Sequence, residues 1–212
     1  MQIKTKTKVR LTYRNLEERP VDPTQFNDPM ALETEWTPLS TGASNFATHK
    51  LKRVSAERLE YRPAAPTIAL FLIFPIAGIL LLLYTFLKEM SSLGLILGLA
   101  FTVGGLLLLY YQTAPYVFDK QEGLYYKGRN AKDKQPDIEN PKKTVPLDSI
   151  YAVQILEKVV YSNNSYYAYD INLVLKNKKR MLFISHTKKD RIKEDAREIA
   201  DFLGVPVWDP LV

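Results

Sequence analysis

The sequence contains no cysteine and only two histidines, His49 and His186. Without thiols there can be no disulfide, thiolate zinc site, iron–sulfur cluster or cysteine nucleophile. The two histidines stand far apart with no carboxylate at metal-ligand spacing beside them, so no metal and no cofactor is expected. Phosphate-cradling glycine loops, nucleophile elbows and HExxH patterns are also missing. These absences predict a protein that is not an enzyme, with no catalytic residues. A third absence is local. Thr67–Leu87 and Leu93–Tyr111 contain no charged residue. Intramembrane charges mark proton relays and ion paths, and two uncharged stretches argue against a transporter or channel.

Those two stretches are the strongest signal present. At about 1.5 Å of rise per residue each spans roughly 30 Å, the thickness of a bilayer's hydrocarbon core. Five residues, Lys88 to Ser92, connect them. The reading is a two-helix transmembrane hairpin over 66–111, with spans 67–87 and 93–111. Pro75 and Gly78 mark a kink or a close contact in the first helix. Gly94, Gly98 and Gly105 are the expected packing positions of the second, because small residues let helix backbones approach. A five-residue link favours packing within the hairpin, and homodimerisation through the same glycines is the alternative.

The net charge is +6. Residues 1–65 carry 11 Lys and Arg against 8 Asp and Glu, and residues 112–212 carry 17 against 14. The excess is too dispersed for a nucleic-acid footprint, but it suits proximity to anionic membrane lipids. Lys50, Lys52, Arg53, Arg58 and Arg62 precede the hairpin, Lys120, Lys127 and Arg129 follow it, and Lys88 alone lies in the link. The positive-inside rule then places both termini in the cytoplasm, in a bacterial inner membrane. The basic N-terminus has no apolar run behind it, so no secretory leader is expected.

Residues 1–65 read as a cytoplasmic arm with short strands. Val9, Leu11 and Tyr13 have strand period. Residues 20–43 are rich in proline and turn formers around one aromatic, Trp36, which either anchors the loop on its own domain or meets a partner. His49–Val54 and Arg58–Arg62 read as a hairpin, with Leu59 and Tyr61 on one face. Residues 112–212 read as a cytoplasmic α+β domain. Strands are predicted at 116–119, 124–127, 144–146, 151–161, 166–176 and 180–185, with Ser162–Ser165 as a tight turn. A helix follows, with Thr187 and Asp190 as a capping box, an apolar stripe of Ile192, Ala196, Ile199 and Leu203, and Gly204 as its end. Meandering strands closed by one terminal helix are the order of a pleckstrin-homology-like (PH-like) bent antiparallel sheet or barrel. Six strands are counted where that fold has seven, and the N-terminal region is a source for the missing one.

Two basic groups are the expected lipid or partner contacts: Lys120, Lys127 and Arg129 around the first strand pair, and Lys178, Lys179 and Arg180 at the last turn. A solvated, lysine-rich turn is the plainer reading of both.

The runs FDKQEGLYY, VPLDSIYAVQILEKV, YDINLVLKNKKRMLF and AREIADFLGVPV resemble the soluble part of the photosystem I assembly factor family of cyanobacteria and chloroplasts. The layout is also similar to two-helix bacterial membrane proteins with a C-terminal PH-like domain. The likeness covers about residues 67–208. It implies a membrane-anchored scaffold or assembly factor that holds another protein, with no catalytic residues to carry over.

Overall fold

The computed structural model describes residues 16–17, 19–43, 48–88, 92–131, 134–141, 144–162 and 165–211. The expected strand around Val9–Tyr13, the middle of the 88–92 link and the centre of the 162–165 turn lie outside them.

The chain enters through a short helix, α1 (Pro29–Glu33), whose first turn is capped by the Asp28 carboxylate accepting from Met30 N at 2.9 Å. Strands β1 (His49–Arg53) and β2 (Arg58–Pro63) follow. Helices α2 (Ala65–Leu87) and α3 (Ser92–Gln112) form an antiparallel pair. Then come β3 (Tyr116–Asp119), β4 (Leu124–Lys127) and β5 (Thr144–Pro146). The long strands β6 (Ile150–Val160), β7 (Tyr166–Leu175) and β8 (Arg180–His186) lead into α4 (Lys189–Leu203) and a last short strand, β9 (Val207–Trp208).

The described strands make two sheets. The first is an antiparallel meander in the order β1-β2-β3-β4-β5. The second has the order β8-β7-β6-β9, with β9 parallel to β6. The expected barrel is therefore not closed. A 3-10 turn over Leu147–Ser149 redirects the chain after β5, and β6 pairs with β7 and β9 instead of continuing the first sheet.

Both sheets bury one face against α4. Leu59, Phe118, Tyr125 and Val145 come from the first sheet, Val153, Ile155, Ile171 and Leu173 from the second, and Ile192, Ala196, Ile199 and Phe202 from the helix. Each of the Val, Leu, Ile and Phe side chains contributes about 1.5–3 kcal/mol by leaving water. Ile192, Ala196 and Ile199 of the predicted stripe on α4 are buried, whereas Leu203 is partly buried and Phe202 beside it enters the core. Gly204 ends the helix in the left-handed conformation (φ +74°) with its N–H donating to Ala200 O. The predicted capping box does not form. Lys188 is the N-cap residue and makes no side-chain cap bond. Instead Lys188 N donates to Nδ1 of the buried His186 at 2.8 Å. Burial first, then the charges of Arg191 and Lys188, hold His186 below its ordinary pKa, which keeps that nitrogen free to accept.

The strand pairing crosses the two long helices. Leu59 of β2 pairs with Phe118 of β3, and Tyr61 with Tyr116. Residues before and after the hairpin thus belong to one sheet.

α2 and α3 are each long and apolar enough to cross a membrane. Leu70 and Ile73 are 58% exposed, Leu80 60% and Ile96 63%. In water such a surface would be costly over so large an area. Where the helices touch, small residues face partners. A side-chain carbon on Gly105 would lie 2.6 Å from Pro75 N, and one on Gly98 would lie 2.7 Å from Leu82 Cγ. Gly94 faces Thr85 and Gly78 faces Thr102 in the same way, whereas Gly104 faces open space. Pro75 is buried at its contact with Gly105, which gives that residue its place in α2.

Candidate functional site

The seam between the helices and the first sheet is built from short connections. Ala64 alone separates β2 from α2, and Thr113–Pro115 separate α3 from β3. Ala64 N donates to Thr48 O at 2.7 Å, and Thr67 Oγ1, in the first turn of α2, donates to the same oxygen at 2.9 Å. At the other helix Arg129 Nη1 donates to Tyr110 O at 2.7 Å and Nη2 to Thr113 Oγ1 at 2.9 Å. Its guanidinium also lies 4.3 Å from the centre of the Tyr110 ring. The chain reaches Arg129 through Gly128, whose φ of +135° suits glycine and whose N–H donates to Pro115 O. Arg129 is thus a clamp between the strand β4 exit and the end of α3.

Strand period explains the other half of the seam. Leu59 and Tyr61 point into the core, so Arg58, Glu60 and Arg62 share the opposite face of β2. Arg58 Nε donates to Glu60 at 2.6 Å and Nη1 to Asp119 at 2.5 Å, while Arg62 Nε donates to Glu60 at 2.5 Å. Burial pushes Glu60 up, but the hydrogen bonds from Arg62 and Arg58 outweigh it and hold the carboxyl below the usual range. Arg58, Glu60 and Arg62, together with Ile68, Thr113, Pro115 and Arg129, line a cleft of about 460 Å³. The spacing Arg58-Glu60-Arg62 was visible as a polar face opposite Leu59 and Tyr61. What the sequence alone did not supply was the return of Arg129 to the same place from beyond the hairpin.

The remaining predicted contacts go elsewhere. Lys120 lies 4.6 Å from the Phe202 ring centre and Lys127 5.0 Å from that of Tyr116. Lys178 pairs with Glu33, Lys179 with Glu139 at 2.5 Å, and Arg180 with Glu35 at 3.2 Å. Arg180 also donates to Thr37 O at 2.8 Å. The second basic group is therefore answered by acidic residues of the chain itself, and it holds down the segment after α1.

That segment covers the outer face of the second sheet. Trp36 stacks on Phe26 at 5.1 Å and meets Trp208 at 5.8 Å, and its Nε1 donates to Ala31 O. The ring anchors the arm on its own domain. Farther along, Lys158 Nζ donates to Ser40 O, Ser40 Oγ and Gly42 O, and pairs with Asp170 at 2.8 Å. Lys158 is 2% exposed and Asp170 fully buried. A buried ion pair of this kind is tolerable because the ammonium's donors are all used.

No protein-family model matches this chain, and no curated protein matches it either.

Proposed function

We propose that this protein is a two-span membrane scaffold, whose PH-like domain holds a partner protein at the cytoplasmic face of a bacterial inner membrane. The observation that carries this reading is the pairing of β2 with β3 across the hairpin. A domain whose first sheet is interrupted by the membrane anchor has two short, hydrogen-bonded attachments to it. Such a domain cannot swing on a linker, so any surface it presents stays at a fixed height and tilt. That property suits assembly more than turnover.

The PH-like assignment rests on order. Strands β1–β5 form one antiparallel meander, β6–β8 form a second to which β9 adds in parallel, and α4 packs on the core between them. β2, from before the hairpin, adds a strand to the six predicted after it and supports this reading. The cytoplasmic placement rests on the lysines and arginines of both flanks against the single Lys88 of the link.

Site-specific photo-crosslinking in cells tests the reading. A photoreactive residue is placed in turn at exposed positions such as Lys52, Glu122 and Arg197. A discrete adduct from one face, identified as the same protein in each positive position, is expected. The absence of any adduct from all faces of the domain would contradict a scaffold.

A further inference from the structure

We infer that the cleft between β2, the start of α2 and the end of α3 is a binding site for the phosphodiester of one anionic phospholipid, drawn from the surrounding bilayer. The inference rests on the membrane placement proposed above and adds a ligand to it.

Depth is the first argument. Ile68 lies in the first turn of α2 and Thr113 directly follows α3. Both line the cleft. Helices of 23 and 21 residues extend slightly beyond a hydrocarbon core of about 30 Å. Their ends therefore lie at the level of lipid phosphates. Charge is the second. Three arginines, Arg58, Arg62 and Arg129, line the cleft with one carboxylate, Glu60, and Asp119 pairs with Arg58 at its edge. Among the described residues three guanidiniums against two carboxylates leave one positive charge, which favours a phospholipid whose phosphodiester charge is not cancelled by a cationic headgroup.

Donor geometry is the third. Among the described residues Arg62 spends only Nε, on Glu60, and its side chain is 44% exposed. Both terminal nitrogens remain for a phosphate, which guanidinium groups grip in bidentate fashion. Glu60 fixes Arg62 from behind, so the donor is already oriented before a lipid arrives. The lining is amphipathic as a phospholipid requires, combining three arginines with Ile68, Pro63 and Pro115. The lysines of the 178–180 turn have no such character, because Glu33 and Glu139 answer them.

The test uses the full chain in nanodiscs of equal phosphatidylglycerol and phosphatidylcholine, released into the gas phase for native mass spectrometry. Retention of one phosphatidylglycerol per chain is expected, reduced about tenfold in Arg62→Gln. Arg62→Lys keeps the charge but loses the fork, and its retention should fall between the two. Matching thermal transitions for the variants would show that the fold survives. Equal retention by wild type and Arg62→Gln, or equal retention of both lipids, overturns the inference. So does displacement by millimolar inorganic phosphate, which would assign the cleft to a soluble anion. Alkaline-carbonate extraction of the parent membranes separates the two failures. A protein that stays in the pellet without lipid selectivity refutes the cleft alone, whereas release into the supernatant refutes the membrane placement.

Discussion

Asp195 sits on the buried side of α4, 8% exposed, with Arg191 no closer than 3.8 Å. Its Oδ2 has no hydrogen-bond partner among the described residues. Burial is the main force raising its pKa to about 6. Arg191 pulls against it, and Glu198 and Glu194 add to it. The nearby Tyr61 hydroxyl is pushed up to about 12, first by burial and then by Asp195 itself. A carboxyl raised from 3.8 to about 6 favours the fold only while it is protonated. That contribution is complete below pH 3.8 and is lost as pH rises through about 6. Asp195→Asn should therefore raise stability at pH 8 by about 2–3 kcal/mol and leave it unchanged below pH 4, read from thermal unfolding in detergent at both pH values. Burial raises Asp170 as well, but there Lys158 lies at 2.8 Å and pulls against it, a closer partner than Arg191 is to Asp195. Lys158 lies on the face of β6 opposite the core residues Val153 and Ile155. What buries it is the arm of residues 40–42, far away along the chain, and no local pattern announces such a cover.

The helical hairpin and the strands differ in how they could be read from the sequence. α2 and α3 fall within a few residues of the predicted spans, because a run of about twenty uncharged apolar residues has few other structures open to it. β3, β4 and β5 have the predicted bounds, since turn residues and alternating side chains mark both ends. Pairing between distant strands left no such mark. The closure into a barrel was expected from strand order alone, and the turn at Leu147–Ser149 decided against it. Helix packing offers a sharp contrast within one dipeptide. A methyl group at Gly105 would meet Pro75 and Phe74 backbone and side-chain atoms, whereas one at Gly104 would meet nothing within 4 Å. Gly105→Ala should destabilise the hairpin by about 1–3 kcal/mol and Gly104→Ala should be neutral, measured as the shift in thermal or denaturant midpoint. If Gly104→Ala were the damaging change, that surface would belong to a contact outside the chain, such as a second copy.

The whole molecule is organised by an interruption. A sheet begins with β1 and β2, the chain leaves for α2 and α3, and the sheet resumes in β3, which pairs with β2. The seam gathers Arg58, Glu60 and Arg62 from before the interruption and Arg129 from after it. For this reason the candidate site could be read only in part from the sequence. Arg129 stood among the predicted basic residues, but its neighbours became visible only when both flanks were seen to share a sheet. For a hairpin that spans a bilayer, the shared sheet requires both flanks to lie on the same side of it. The absence of native cysteine makes this directly measurable. Single cysteines are introduced at Lys52, Lys88 and Arg197, and intact cells are treated with a membrane-impermeant maleimide. Labelling of Lys88→Cys in intact cells, with Lys52→Cys and Arg197→Cys labelled only after lysis, is the predicted result. Labelling of Lys52→Cys and Arg197→Cys from opposite sides of the membrane would contradict the shared sheet and, with it, the anchored domain.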